Sequence, residues 1–135
     1  MTFEVVATPI AERDIASLRG ARRRAYDDFE ADLAASGCRA MGYRLTGKHP
    51  LASLCIKHLR GKDRVVVAFV EDVAWVLLVG PHDDGDAAAD VYGRLYELLG
   101  FELPIGSRTK PPCCGPSGKP PLLDEIETDA FTGKG

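Results

Sequence analysis

Residues Leu54–Val79 read LCIKHLRGKDRVVVAFVEDVAWVLLV. β-Branched and aromatic residues dominate this stretch, which predicts three strands: Leu54–Arg60, Arg64–Glu71 and Val73–Val79. Gly61-Lys62-Asp63 and Asp72 separate the three runs at hairpin distances. Within the middle run, Val65, Val67 and Phe69 alternate and should face one side of a sheet. The last run is almost unbroken in its apolar character, so it should be a central strand buried on both faces.

Working outward, Phe3–Ala7 is a further short β-favouring run. Thr8-Pro9 follows it and suits a helix start, because threonine caps and proline is pre-set for the first turn. That helix should run to Leu18, with Gly20 as a break. A second helix is expected over Ala21–Ser36, where Tyr26, Phe29 and Leu33 form one apolar stripe and Gly37 is the stop. Residues 38–53 are punctuated by Gly and Pro and read as a loop. Beyond the strands, Ala87–Leu99 reads as a closing helix ended by Gly100. Phe101–Gly135 contains most of the nine prolines and reads as an irregular, extended tail in which Ile126 and Phe131 are candidate anchors of a short helix. The expected fold class is α+β: a β-αα-βββ-α core with a small antiparallel sheet packed on helices, residues 1–100, and a C-terminal extension, residues 101–135.

The chain has 135 residues, a length suited to one domain, and its 45% hydrophobic and 27% charged content permits a packed core. No apolar run approaches the ~20 residues of a membrane helix. The N-terminus lacks the pattern of a secretory signal, so a cytoplasmic location with no membrane partner is expected, and the four cysteines should then be mostly reduced thiols. A net charge of −3 would argue against a nucleic-acid-binding domain. The average conceals an asymmetry. Residues 1–60 carry a net +3 and residues 61–135 a net −6, and the stretch from Arg39 to Arg64 alone is +6 over 26 residues. A local basic surface of that kind can hold a phosphate backbone on an acidic chain.

Other signals are weak. His82–Asp86, HDDGD, has ligand-type residues but not the spacing of a calcium loop. Cys113-Cys114 has no CxxC partner, and a zinc site with Cys38 and Cys55 would require the tail to fold back. Gly-rich phosphate loops and a Ser-centred nucleophile motif are absent. Trp75 lies in the most apolar strand and reads as core.

Four segments, in order, resemble the RelE/ParE superfamily of bacterial type II toxins. VVATPIAERDIASL resembles its first strand, Pro-containing turn and helix. LCIKHLRGKDRVVVAF resembles its paired strands, with a basic residue before the turn and an Arg after it. VAWVLLVGPH resembles the third strand and functional loop, and DVYGRLYELLG the last helix with a tyrosine near its start. The resemblance covers about residues 3–99 and implies one of two activities. RelE-like members are metal-independent, ribosome-dependent mRNA endoribonucleases that need no cofactor. ParE-like members bind and inhibit gyrase. An antitoxin protein neutralises both kinds. Carried onto this chain, the RelE-like pattern implies His58, Arg64, His82 and Tyr92 as catalytic residues. Arg64 and Arg60 would grip the scissile phosphate, His58 and His82 would move protons, and Tyr92 would orient a nucleotide. Lys57, Arg60, Lys62, Arg44 and Lys48 would bind RNA, with mRNA and the ribosome that translates it as partners beside the antitoxin. The chain departs from the pattern in having His where Lys is usual, and Asp83, Asp84 and Asp86 follow His82 and would repel RNA if they faced it.

Overall fold

The computed structural model describes residues 2–86, 88–104, 109–125 and 131. Beside two short 3-10 turns at Gly37–Ala40 and Leu51–Ser53, the described residues form one mixed five-stranded sheet and three α-helices. In chain order these are β1 (Glu4–Ala7), α1 (Pro9–Ala16), α2 (Gly20–Ser36), β2 (Tyr43–Arg44), β3 (Leu54–His58), β4 (Asp63–Val70), β5 (Val73–Pro81) and α3 (Val91–Leu99). The sheet order is β1-β5-β4-β3-β2. The β3–β4–β5 meander is antiparallel as expected, but β1 joins β5 in parallel, so the sheet is mixed.

Both faces of the sheet are covered. Val65, Val67, Phe69 and Val76 pack with Leu18, Tyr26, Phe29 and Leu33 from the α1–α2 side. Ile56, Val66, Ala68, Leu77 and Leu78 pack with Val91, Tyr92, Leu95 and Tyr96 of α3. This double burial is why β4 and β5 are apolar at nearly every position. Strict alternation fails at one point, where Val66 pairs with Leu78 and Val67 with Val76. Leu77 is the extra residue of a bulge, so Leu77 and Leu78 both join the α3-side cluster.

β1 is too short to cover β5. Beyond Val76 the edge is closed by α1 and its cap instead. Thr8 donates its backbone N–H to Val76 O and its hydroxyl to Leu77 O (2.8 Å), and its Oγ1 accepts from Ala11 N at the helix start. Val79 N donates to Asp14 Oδ2 (3.1 Å), and Asp14 also takes the Arg94 guanidinium from α3. Burial pushes the Asp14 carboxyl above its ordinary range, against the opposing pull of Val79 N–H and Arg94.

Several expectations need correction. Residues 38–53 are not all loop, since Tyr43 and Arg44 form the edge strand β2, paired with Ile56 and Cys55. β3 ends at His58, which leaves Arg60 in the turn rather than on the strand. The closing helix begins at Val91, not near Ala87, because Asp90 caps it; Ala87 itself lies outside the described residues. The cysteines are not free thiols: Cys38 is bonded to Cys114 and Cys55 to Cys113. The two disulfides tie the C-terminal segment onto the α1–α2 side of the sheet. Pro112 bridges Tyr43, and Leu122 bridges Phe69. Arg44 N donates to Pro111 O (2.8 Å) and Leu123 N to Phe69 O (2.9 Å). The tail thus occupies free backbone positions on the sheet's open side, which would otherwise remain unpaired. Leu123 and Phe131 are buried in the α3-side cluster. Ile126, the other expected anchor, lies outside the described residues.

Candidate functional site

Strand parity builds the site. His58 and Arg64 are cross-strand partners on β3 and β4. Arg64 is two residues from Val66 and His58 two from Ile56, so both project on the α3 side. Tyr43, paired with Ile56, projects on the same side. Lys57 pairs with Val65 and Arg44 with Cys55, so these two cations share the opposite face.

On the α3 side the rings form a continuous row. The Tyr43 hydroxyl lies 2.6 Å from the Tyr92 hydroxyl and 3.4 Å from His58 Nε2. Tyr43 and His58 meet edge-on at 5.6 Å between centroids, and Tyr92 and His82 meet edge-on at 4.9 Å. Four of the expected residues, His58, Arg64, His82 and Tyr92, are therefore brought together at one end of the sheet. Tyr43 is the link that sequence reasoning missed.

His82 is held by Asp90. Its Nδ1 lies 2.7 Å from Asp90 Oδ1, and Asp90 also accepts from Asp83 N and, as the α3 cap, from Gly93 N. Burial pushes the Asp90 carboxyl up, but the hydrogen bonds from His82, Gly93 and Asp83 outweigh it and hold the group below its ordinary value. An ionised carboxylate only accepts, so this contact puts a proton on Nδ1 and leaves Nε2 to face outward. Asp84 Oδ1 stands 3.5 Å from that Nε2, on a side chain that is almost fully exposed.

His58 has the opposite setting. Burial, followed by the charges of Arg64, Lys110, His82 and Lys57, pushes its imidazole below the ordinary 6.5. It is thus biased towards the neutral base. Lys110, delivered by the tail, places its ammonium 5.2 Å from the Tyr43 ring centroid. Arg64 donates through Nη1 to Asp63 O (3.0 Å) and Gly61 O (3.3 Å), while its Nε is buried with no hydrogen-bond partner. A buried orphan donor on a cation costs free energy unless an acceptor arrives.

The remaining candidates lie elsewhere. Arg60 and Lys62 line a shallow groove of about 360 Å³ at the hairpin tip beside Arg22. Arg22 is engaged in a two-pronged ion pair with buried Asp63, 2.7 Å at each prong, which pins that tip to α2. Lys48 lines a different groove with Leu51, Tyr96 and Phe101. Among the described residues no group of three or more His, Cys, Asp or Glu side chains is arranged to hold a metal ion, and no helix is long and apolar enough to cross a membrane. Of the residues missed, Asp90 had a signal, an Asp directly before an apolar-periodic run. Lys110 had none, since the folding back of the tail through its disulfides and its backbone contacts with Tyr43 and Arg44 brings it here.

No protein-family model matches the chain, and no curated protein matches it. Among solved structures, it is similar to a chain of the toxin–antitoxin complex RelBE2 from Mycobacterium tuberculosis, with 24% identity and a TM-score of 0.49 over 58% of this chain and 96% of that one. It is also similar to a chain of the RelE–RelB complex from Pyrococcus horikoshii, with 21% identity and a TM-score of 0.47 over 63% of this chain and 100% of that one.

Proposed function

We propose that this protein is a RelE-like toxin that cleaves mRNA without a metal ion and is neutralised by a cognate antitoxin. One observation carries the reading: Arg64 lies across the strand from His58, whose imidazole is pushed below its ordinary 6.5, on the face that also holds the paired rings of His82 and Tyr92. Cleavage at a ribose 2′-hydroxyl needs a base for that proton, an acid for the leaving oxygen and cations for the charge growing on phosphate. Neutral His58 serves as the base. Arg64 serves as the phosphate clamp, with Lys110 adding positive charge. His82, oriented by Asp90 through Nδ1–H, serves as the acid when its Nε2 is protonated as well, and the joined hydroxyls of Tyr43 and Tyr92 position the nucleotide between the two imidazoles. Arg60 and Lys62 extend the cationic path for RNA past the hairpin tip, and Lys48 meets the strand farther along. Arg44 and Lys57, on the opposite face, contribute through long-range field rather than contact.

A second reading rests on Asp84. A carboxylate beside His82 Nε2 stands where a nucleic acid phosphate would need to approach, and it favours a non-catalytic member whose surface binds a protein, gyrase or antitoxin. Induced expression in a bacterium separates the two. The nuclease reading expects growth arrest with cut mRNA, abolished by Arg64→Ala with Tyr92→Phe. Arrest that survives both substitutions, or intact mRNA during arrest, sinks it. A small DNA-binding protein encoded beside this gene would favour either toxin reading over an unrelated role.

A further inference from the structure

The two disulfides join adjacent residues of the tail to the core, yet their surroundings differ. Cys55 and Cys113 are 0% and 1% exposed. Cys38, itself only 4% exposed, lines an open pocket of about 390 Å³ together with Phe3, Ser36, Arg39, Gly118 and Lys119. Cys114, its partner, is only partly buried. Arg39 and Lys119 are exposed cations, and no acidic residue lines the pocket among the described residues. A thiolate attacking a disulfide must reach one sulfur, and the departing sulfur leaves as a thiolate. Access and neighbouring positive charge favour both steps.

We infer that Cys38–Cys114 is a thiol–disulfide exchange site whose Arg39/Lys119 pocket takes an anionic thiol, while Cys55–Cys113 remains closed as the permanent anchor of the tail. In the first step the reagent thiolate bonds to Cys38 Sγ, and the electron pair of the broken S–S bond departs on Cys114. A second reagent thiolate then attacks the reagent sulfur of the mixed disulfide and releases Cys38 as a thiolate. Two reagent thiols are oxidised to one disulfide, and one protein disulfide is reduced by two electrons. Cys113, Pro111 and Pro112 keep their ties to the sheet throughout, so Lys110 stays over Tyr43. The part set free is the turn around Gly115–Lys119, which now closes on itself through Gly115 N to Lys119 O and touches Cys38 through Gly118 O. The exchange therefore remodels the surface at the C-terminal end of α2 and leaves the candidate site in place.

The test treats the oxidised full-length protein with glutathione, 2-mercaptoethanol or cysteamine, matched in thiolate concentration. Free thiols are trapped by alkylation and mapped by mass spectrometry. The expected result is an intermediate alkylated or thiolated only at Cys38 and Cys114. Glutathione, which is net anionic, should open it about fivefold faster than the cationic cysteamine, from two nearby cations acting on the approaching charge. Arg39→Glu with Lys119→Glu should reverse that order, and an unchanged circular dichroism spectrum would confirm that this variant still folds. Opening of Cys55–Cys113 first or simultaneously, four free thiols in the protein as isolated, or the same charge order in the variant would overturn the inference.

Discussion

Tyr43 and Arg44 show how much one residue of register decides. Arg44 stood out in the sequence for its charge, yet β2 pairs it with Cys55 on the α1–α2 side, and it is Tyr43 that reaches the candidate site. A slip of one residue would exchange them. Two residues carry no periodicity, so this parity was illegible, whereas the eight residues of β4 announced theirs through Val65, Val67 and Phe69. Tyr43→Phe removes the hydroxyl shared by Tyr92 and His58. On the proposed nuclease reading it should lower RNA cleavage about tenfold while costing about 1 kcal/mol of stability, the usual net worth of one such hydrogen bond; cleavage assays beside thermal unfolding check both numbers. His58 offers a second test. Its pKa is lowered in the fold, so below about 6.5 the unfolded chain binds a proton that the folded one resists. The stability contributed by this group is present above its ordinary 6.5 and is lost as pH falls through 6.5 towards the lower folded value. NMR should show the imidazole titrating below 6.5, and Lys110→Ala should move it upward. A titration that ignores Lys110 would remove the tail from the electrostatics of the site.

At the scale of elements, α1 and α3 contrast in how their starts were encoded. Thr8-Pro9 is a local cap signal and put the start of α1 where it is found. For α3, the alanines before Asp90 have high helix propensity and suggested an earlier start, but the Asp90 side chain accepts from Gly93 N and fixes the first turn at Val91. The same carboxylate accepts from Asp83 N and contacts His82, so one residue joins a helix terminus to a site loop. Asp90→Ala should cost about 1–2 kcal/mol for the lost cap alone and free the His82 ring. Asp90→Asn should restore much of the stability, since its amide oxygen can still cap, without restoring a charged partner for the imidazole. Thermal unfolding of the two variants distinguishes these contributions, and equal losses in both would show that charge rather than capping holds α3. The parallel docking of β1 on β5 had no such local sign. It depends on contacts between residues about seventy positions apart, which no window of sequence contains.

For the whole molecule, composition alone was a poor guide to the tail. Proline and glycine content read as linker, but four cysteines allow three pairings, and the pairing found straps residues 111–123 to the sheet. The two bridges are nested, with sequence separations of 58 and 76 residues. By chain entropy, closing a loop near 58 residues stabilises by about 4 kcal/mol, and the outer bridge, which then closes only the short loop between Cys38 and Cys55, adds about 3 kcal/mol. Reduction of both should therefore lower the thermal midpoint by more than 10 °C, given about 3–4 °C for each kcal/mol at this size, whereas Cys38→Ser with Cys114→Ser should lose less than half of that. Leu123 and Phe131 stay buried against α3 without any covalent tie, so the reduced chain should still unfold in one cooperative step. The same titration of His58 then tells whether the strap reaches the site. With both bridges open, Lys110 loses its fixed place over Tyr43 and the imidazole should move up as in Lys110→Ala; with only Cys38–Cys114 open it should not move. A midpoint indifferent to reductant would mean that packing alone fixes the tail, and the disulfides would then have no part in holding Lys110 at the imidazole row.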